Sequence, residues 1–149
     1  MRSIQKLWFG ILLLVLSAAG PARAEPPHIA QVKTVRGDAF IVRDGQRMPA
    51  KLGDLLYQSD VITTGPGGAI GFTFIDNTVF SAGPDSEIAV AQFRFDSSNF
   101  NGEMLADMRK GSLTVVSGDI THSSPGAMKI KTPTSILGVR GTTFAVRVY

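Results

Sequence analysis

The residues equipped for chemistry are few and scattered. The chain has two histidines, His28 and His122, and no cysteine. A metal site or proton relay built on histidine needs a second ligand at a fixed short spacing, as in His-x-x-x-His, and none occurs. Asp76, Asp85, Glu87 and Asp96 are near enough in sequence to gather for acid–base work or for calcium. They do not follow the calcium-loop pattern, and each stands where a turn or a solvated face accounts for it. No Gly-x-Ser-x-Gly elbow presents a serine nucleophile. Gly65-Pro66-Gly67-Gly68 lacks the Lys-Ser/Thr and the helix start of a phosphate cradle, and reads as a tight turn. The expectation is no catalytic residue, no metal and no cofactor.

The elements that would position any site are short strands. β-rich runs are predicted over residues 29–35, 38–43, 47–52, 61–64, 69–75, 88–95 and 112–117, separated by glycine, proline and aspartate. Asp44-Gly45 is a strong hairpin turn. A central hairpin is expected to turn over two residues at Asp76-Asn77, with Phe72, Phe74 and Val79 flanked by Thr73, Thr78 and Ser81. Residues 103–110 carry helix-favouring types, yet Met104, Ala106 and Met108 alternate, and a strand is predicted that turns at Lys110-Gly111. Gly53-Asp54 reads as a bend, residues 96–102 as a polar loop, and residues 117–126 as a return loop. Most of the nine phenylalanines fall on alternating positions and read as core. The fold class is all-β: a short-stranded β-sandwich, a roll or a short β-solenoid, the last without a fixed repeat.

The first residues read as an address. Arg2 and Lys6 precede an apolar run over residues 7–16, and Ala22-Arg23-Ala24 supplies the small residues of a cleavage site, so residues 1–24 are predicted to be a signal peptide. The run is short of the roughly 20 residues that a membrane span needs, and no stable membrane insertion is expected after cleavage. The whole chain holds 15 Lys and Arg against 12 Asp and Glu; removing Arg2, Lys6 and Arg23 leaves 12 of each. The mature chain is thus formally neutral, which argues against nucleic acid as a partner. Without disulfides it must fold on its core, and one domain over residues 32–149 follows a short extended leader over residues 25–31.

The last twenty or so residues organise the rest. Met128, Ile130 and Thr132 alternate with Lys129 and Lys131 until Pro133 ends the ladder. Phe144, Val146 and Val148 then point one way and Thr143, Ala145 and Arg147 the other, while Gly138 and Gly141 bracket Val139-Arg140 at a corner of crowded or bent backbone. Thr132-Pro133, Val139-Arg140-Gly141-Thr142 and Phe144-Ala145-Val146 resemble the signature of the FecR-type periplasmic domain. Gly37-Asp38-Ala39, Gly53-Asp54, residues 60–64, residues 75–78, Gly83-Pro84 and residues 110–113 echo that family in order, so the resemblance spans residues 32–148. The family usually has Asp-Gly where this chain has Asp76-Asn77. Its signature falls on Thr132, Pro133, Gly138, Val139, Arg140, Gly141, Thr142 and Phe144. Arg140, the one charge inside it, is expected to tie strand carbonyls or a carboxylate such as Asp54 or Asp85 rather than to face a partner.

The resemblance implies a non-catalytic exported module, periplasmic or secreted, that binds an envelope protein partner, as the FecR-type domain does in relaying receptor state to a sigma factor. The full regulators also carry a cytoplasmic segment, a membrane helix and usually a further domain, none of which this sequence contains, so it is not expected to carry a signal across the inner membrane alone. A structural or glycan-binding envelope protein is the alternative, with polysaccharide as ligand and Tyr57 or Phe100 as the sugar-stacking aromatics.

Overall fold

The computed structural model describes residues 24–149 apart from Thr142; residues 1–23 of the expected signal peptide lie outside them. In chain order the elements are β1 (Ala30–Arg36), β2 (Ala39–Arg43), β3 (Gln46–Pro49), β4 (Leu55–Leu56), β5 (Val61–Thr64), β6 (Ala69–Phe74), β7 (Val79–Ala82), β8 (Glu87–Asp96), β9 (Asn101–Val116), α1 (Asp119–Ser123), β10 (Met128–Lys131), β11 (Ile136–Val139) and β12 (Thr143–Val148). The fold is all-β, a curled half-barrel nearer to a roll than to a solenoid. One half orders its strands β4-β1-β6-β7-β9-β12. The other orders them β3-β2-β5-β8-β9-β10-β11. The segment expected as an extended leader enters this sheet: Ile29 and Ala30 are buried, and Ala30 and Gln31 pair with both β4 and β6.

β9 joins the halves because it bends. Residues 101–110 pair with β8, and residues 111–116 pair with β12 and, from Leu113, with β7. The expected turn at Lys110-Gly111 is therefore a kink inside one continuous strand. Gly111 takes φ +90° there, and a Cβ on it would overlap the Cβ of buried Ser86 at 2.7 Å. Glycine and lysine look the same to a sequence reader in a turn and in a bulge. All pairings are antiparallel except β9 with β10. Parallel neighbours need a crossover, and residues 117–127 supply it with the short helix α1, where the sequence reads as loop.

Inside the curl, Phe72, Phe74, Phe80 and Phe93 form one aromatic cluster with ring centroids 4.9 to 5.6 Å apart. Phe72 faces Phe80 across the ladder, and Phe80 rather than Val79 is the inward residue of β7. The shift comes from the hairpin tip. Phe74 N donates to Thr78 O at 2.8 Å and Asn77 N to Phe74 O at 3.0 Å, so the turn spans the three residues 75–77 and not two. Asn77 does take the expected positive φ, +66°. Asp44-Gly45 turns β2 into β3 as expected, with φ +51° and +78°.

Candidate functional site

The signature stretch forms an edge. On β10, Met128 and Ile130 are fully buried while Lys129 and Lys131 face water, as their alternation requires. Thr132 closes the turn that follows: its N–H donates to Ser135 O at 2.8 Å, and Ser135 N donates to Thr132 Oγ1 at 3.0 Å. Exposed Pro133 sits at the tip. The chain then pairs back on β10 as β11, a strand that Ile136-Leu137-Gly138-Val139 did not signal because no alternation marks it. Val139 is buried opposite Met128, but Ile136 is 65 % exposed, Leu137 is exposed, and a Cβ added at Gly138 would meet nothing within 4 Å. The expected crowding at Gly138 is absent; Gly141 carries the bend, at φ +44°.

Arg140 corrects a further expectation. It is exposed, and among the described residues its side chain makes no hydrogen bond or ion pair. Asp54 accepts from Lys51 N instead, and Asp85 lies exposed in its own turn at φ +52°. Thr142 lies outside the described residues. Phe144, Val146 and Val148 lean half-buried onto the core from β12, whose only partner strand among the described residues is β9. Between the tip of the β10–β11 hairpin and β12 runs a groove of about 380 Å³ lined by Pro133, Leu137, Val146, Arg147, Val148 and Tyr149, among others.

The candidate chemical residues are not brought together. Glu87 pairs with Arg109 at 2.7 Å. Asp96 caps its own loop by accepting from Ser98 N and Oγ, which lowers its pKa. Gly65-Gly68 is the expected tight turn, closed by Gly68 N on Gly65 O. Among the described residues no group of three or more His, Cys, Asp and Glu is placed to hold a metal ion.

Asp76 is neither a simple turn former nor a solvated face. Fully buried, it accepts from Thr78 N at 3.2 Å and Thr78 Oγ1 at 2.7 Å, while Gly118 N donates to Thr78 Oγ1 and Asp119 N to Asp76 O. These bonds latch the hairpin tip to the start of α1. Burial pushes the Asp76 carboxyl above the ordinary carboxylate range, and the Thr78 bonds only partly oppose it.

A second buried carboxylate had no local signal at all. Asp60 is 1 % exposed and takes a two-pronged pair from Arg43, Nε at 2.8 Å and Nη2 at 2.7 Å, together with Tyr57 N at 2.8 Å. That hydrogen bond to Asp60 raises the Arg43 pKa further, against a smaller opposing effect of burial. The guanidinium also lies 4.4 Å over the Tyr57 ring, so one face of this sugar-stacking candidate is already covered. Phe100, the other candidate, is 51 % exposed.

A family model described as FecR protein matches residues 60–149. No curated protein matches the chain. Among solved structures, a chain described as a cell surface anchoring domain matches at 27 % identity with a TM-score of 0.40, over 41 % of this chain and 82 % of that one.

Proposed function

The chain belongs to the FecR protein family, and from that premise we propose that it is a non-catalytic, exported binding module of the cell envelope. Its partner is a protein that docks on the edge made by β11 and the Arg140 corner. The observation that carries this reading is the exposure of Ile136 on a strand that, among the described residues, is bonded to a neighbour on one side only. Folded proteins usually blunt such an edge with charge, proline or brevity. The edge strand β3 does so with Arg47 and Pro49, and the edge strand β4 is two residues long. β11 has neither charge nor proline, and its open backbone groups suit an added strand. Lys129, Lys131 and Arg140, all exposed beside it, favour a partner segment that carries acidic residues. The predicted signal peptide supports export, and among the described residues no helix is long and apolar enough to cross a membrane.

The test is capture from envelope extracts on the immobilised mature chain. Wild type should retain one protein in stoichiometric amount, and Ile136→Asp and Arg140→Glu should lose it without a change in denaturation midpoint. Equal capture by the variants, or retention of no protein by wild type, would contradict the reading.

A further inference from the structure

We propose that the hollow beside Phe100 is a carbohydrate subsite that takes one neutral pyranose ring of a polysaccharide. It shares no lining residue with the β11 edge, although His122 reaches towards Gly141 beside the Arg140 corner. The hollow, of about 360 Å³, lies at the small end of ligand pockets, which run to about 300–1,000 Å³. Two elements far apart in sequence build it: Asn99 and Phe100 come from the β8–β9 loop, and Asp119, His122 and Ser123 from α1.

Phe100 is the reason to look here. Its backbone takes φ +59°, a conformation that bulky side chains adopt rarely and at a cost, and one that persists only where the surroundings hold it. They do hold it. Ser123 Oγ donates to Phe100 O, Asn101 N donates to Asn99 Oδ1 at 2.9 Å, and Ser98 N donates to Asp96 Oδ1 at 2.9 Å. The Phe95 ring stands 6.4 Å away and tilted, and Phe100 is half in water.

Around this ring lies unused hydrogen-bonding capacity. Asp119 spends one oxygen on Asn77 Nδ2 at 2.8 Å and keeps the other. Asn99 is committed on both sides, accepting from Asn101 N and bonding Asp96, whereas exposed His122 makes no side-chain hydrogen bond among the described residues. A flat apolar face rimmed by donors and acceptors matches a pyranose, which has a C–H face and a hydroxyl edge. Among the described residues no lysine or arginine lines the hollow and a carboxylate does, which disfavours phosphate- or carboxylate-bearing ligands.

The experiment is an NMR titration of the mature protein with cellotetraose in one arm and chitotetraose in the other, which separates a glucose-type from an N-acetylhexosamine-type ligand. One arm should shift the amides of residues 99–101 and 119–123. Phe100→Trp should keep the affinity. Phe100→Gly should weaken it about tenfold or more while raising the denaturation midpoint, because glycine takes the positive φ without strain. Phe100→Leu, apolar but without a ring face, should weaken it as well. No shifts at these amides in either arm, or wild-type affinity in Phe100→Gly or Phe100→Leu, would overturn the proposal.

Discussion

Asp76 shows how far a residue's role can depart from its type. In a turn at the tip of a hairpin an aspartate is normally wet, but here α1 closes over it and Thr78 and Ile120 N complete its bonding. A carboxyl whose folded pKa is raised binds its proton more tightly in the folded state than in the unfolded chain. Its contribution to stability is therefore fully present below the ordinary value of 3.8 and is lost as pH rises through the higher folded value. The unfolding free energy of wild type minus that of Asp76→Asn should then fall as pH climbs from below 3.8 towards neutrality, measured by denaturant titration at each pH. A difference that stays flat would show that Asp76 titrates like an exposed carboxylate. Nothing in Ile75-Asp76-Asn77-Thr78 announces this burial, because the lid over it is more than 40 residues away in sequence. Asp60 is equally silent, since its partner Arg43 lies 17 residues away at the end of β2. Arg140 errs in the opposite direction: glycines on either side suggested enclosure, and the side chain stands in water.

At the scale of elements, the period-two signal carried most of the fold. Met128 and Ile130, Phe72 and Phe74, and Met104, Ala106 and Met108 all face inward as their alternation requires. Elements whose existence depends on a distant neighbour were illegible. β11 forms because β10 offers an edge, α1 because β10 must lie parallel to β9, and two-residue β4 because β1 passes by. β9 is the element on which both halves depend, and Gly111 is its hinge. Gly111→Ala should cost more than Gly45→Ala, although both glycines have positive φ. At Gly45 an added Cβ meets nothing, and the cost is that of the left-handed backbone, about 1 kcal/mol. At Gly111 the overlap with Ser86 adds about 1–3 kcal/mol. Equal denaturation midpoints for the two variants would mean that the strand does not turn its corner there.

The whole molecule is a half-barrel that encloses Phe72, Phe74, Phe80 and Phe93, and two of its edge strands, β11 and β12, lie beside each other at one seam. The family signature lies at that seam, and only Val139 and Thr132 of its described residues are buried, with Phe144 half-buried. Thr132 closes the turn, while Arg140 and the neighbouring Ile136 and Leu137 face outward. Site-specific photo-cross-linking in the intact envelope tests the proposed binding role of this edge most directly. A photoreactive residue at position 136 should yield one discrete protein adduct, and the same residue at exposed Thr114, flanked by β7 and β12 in the sheet, should yield none. No protein adduct from position 136, or the same adduct from both positions, would contradict a binding role for the edge.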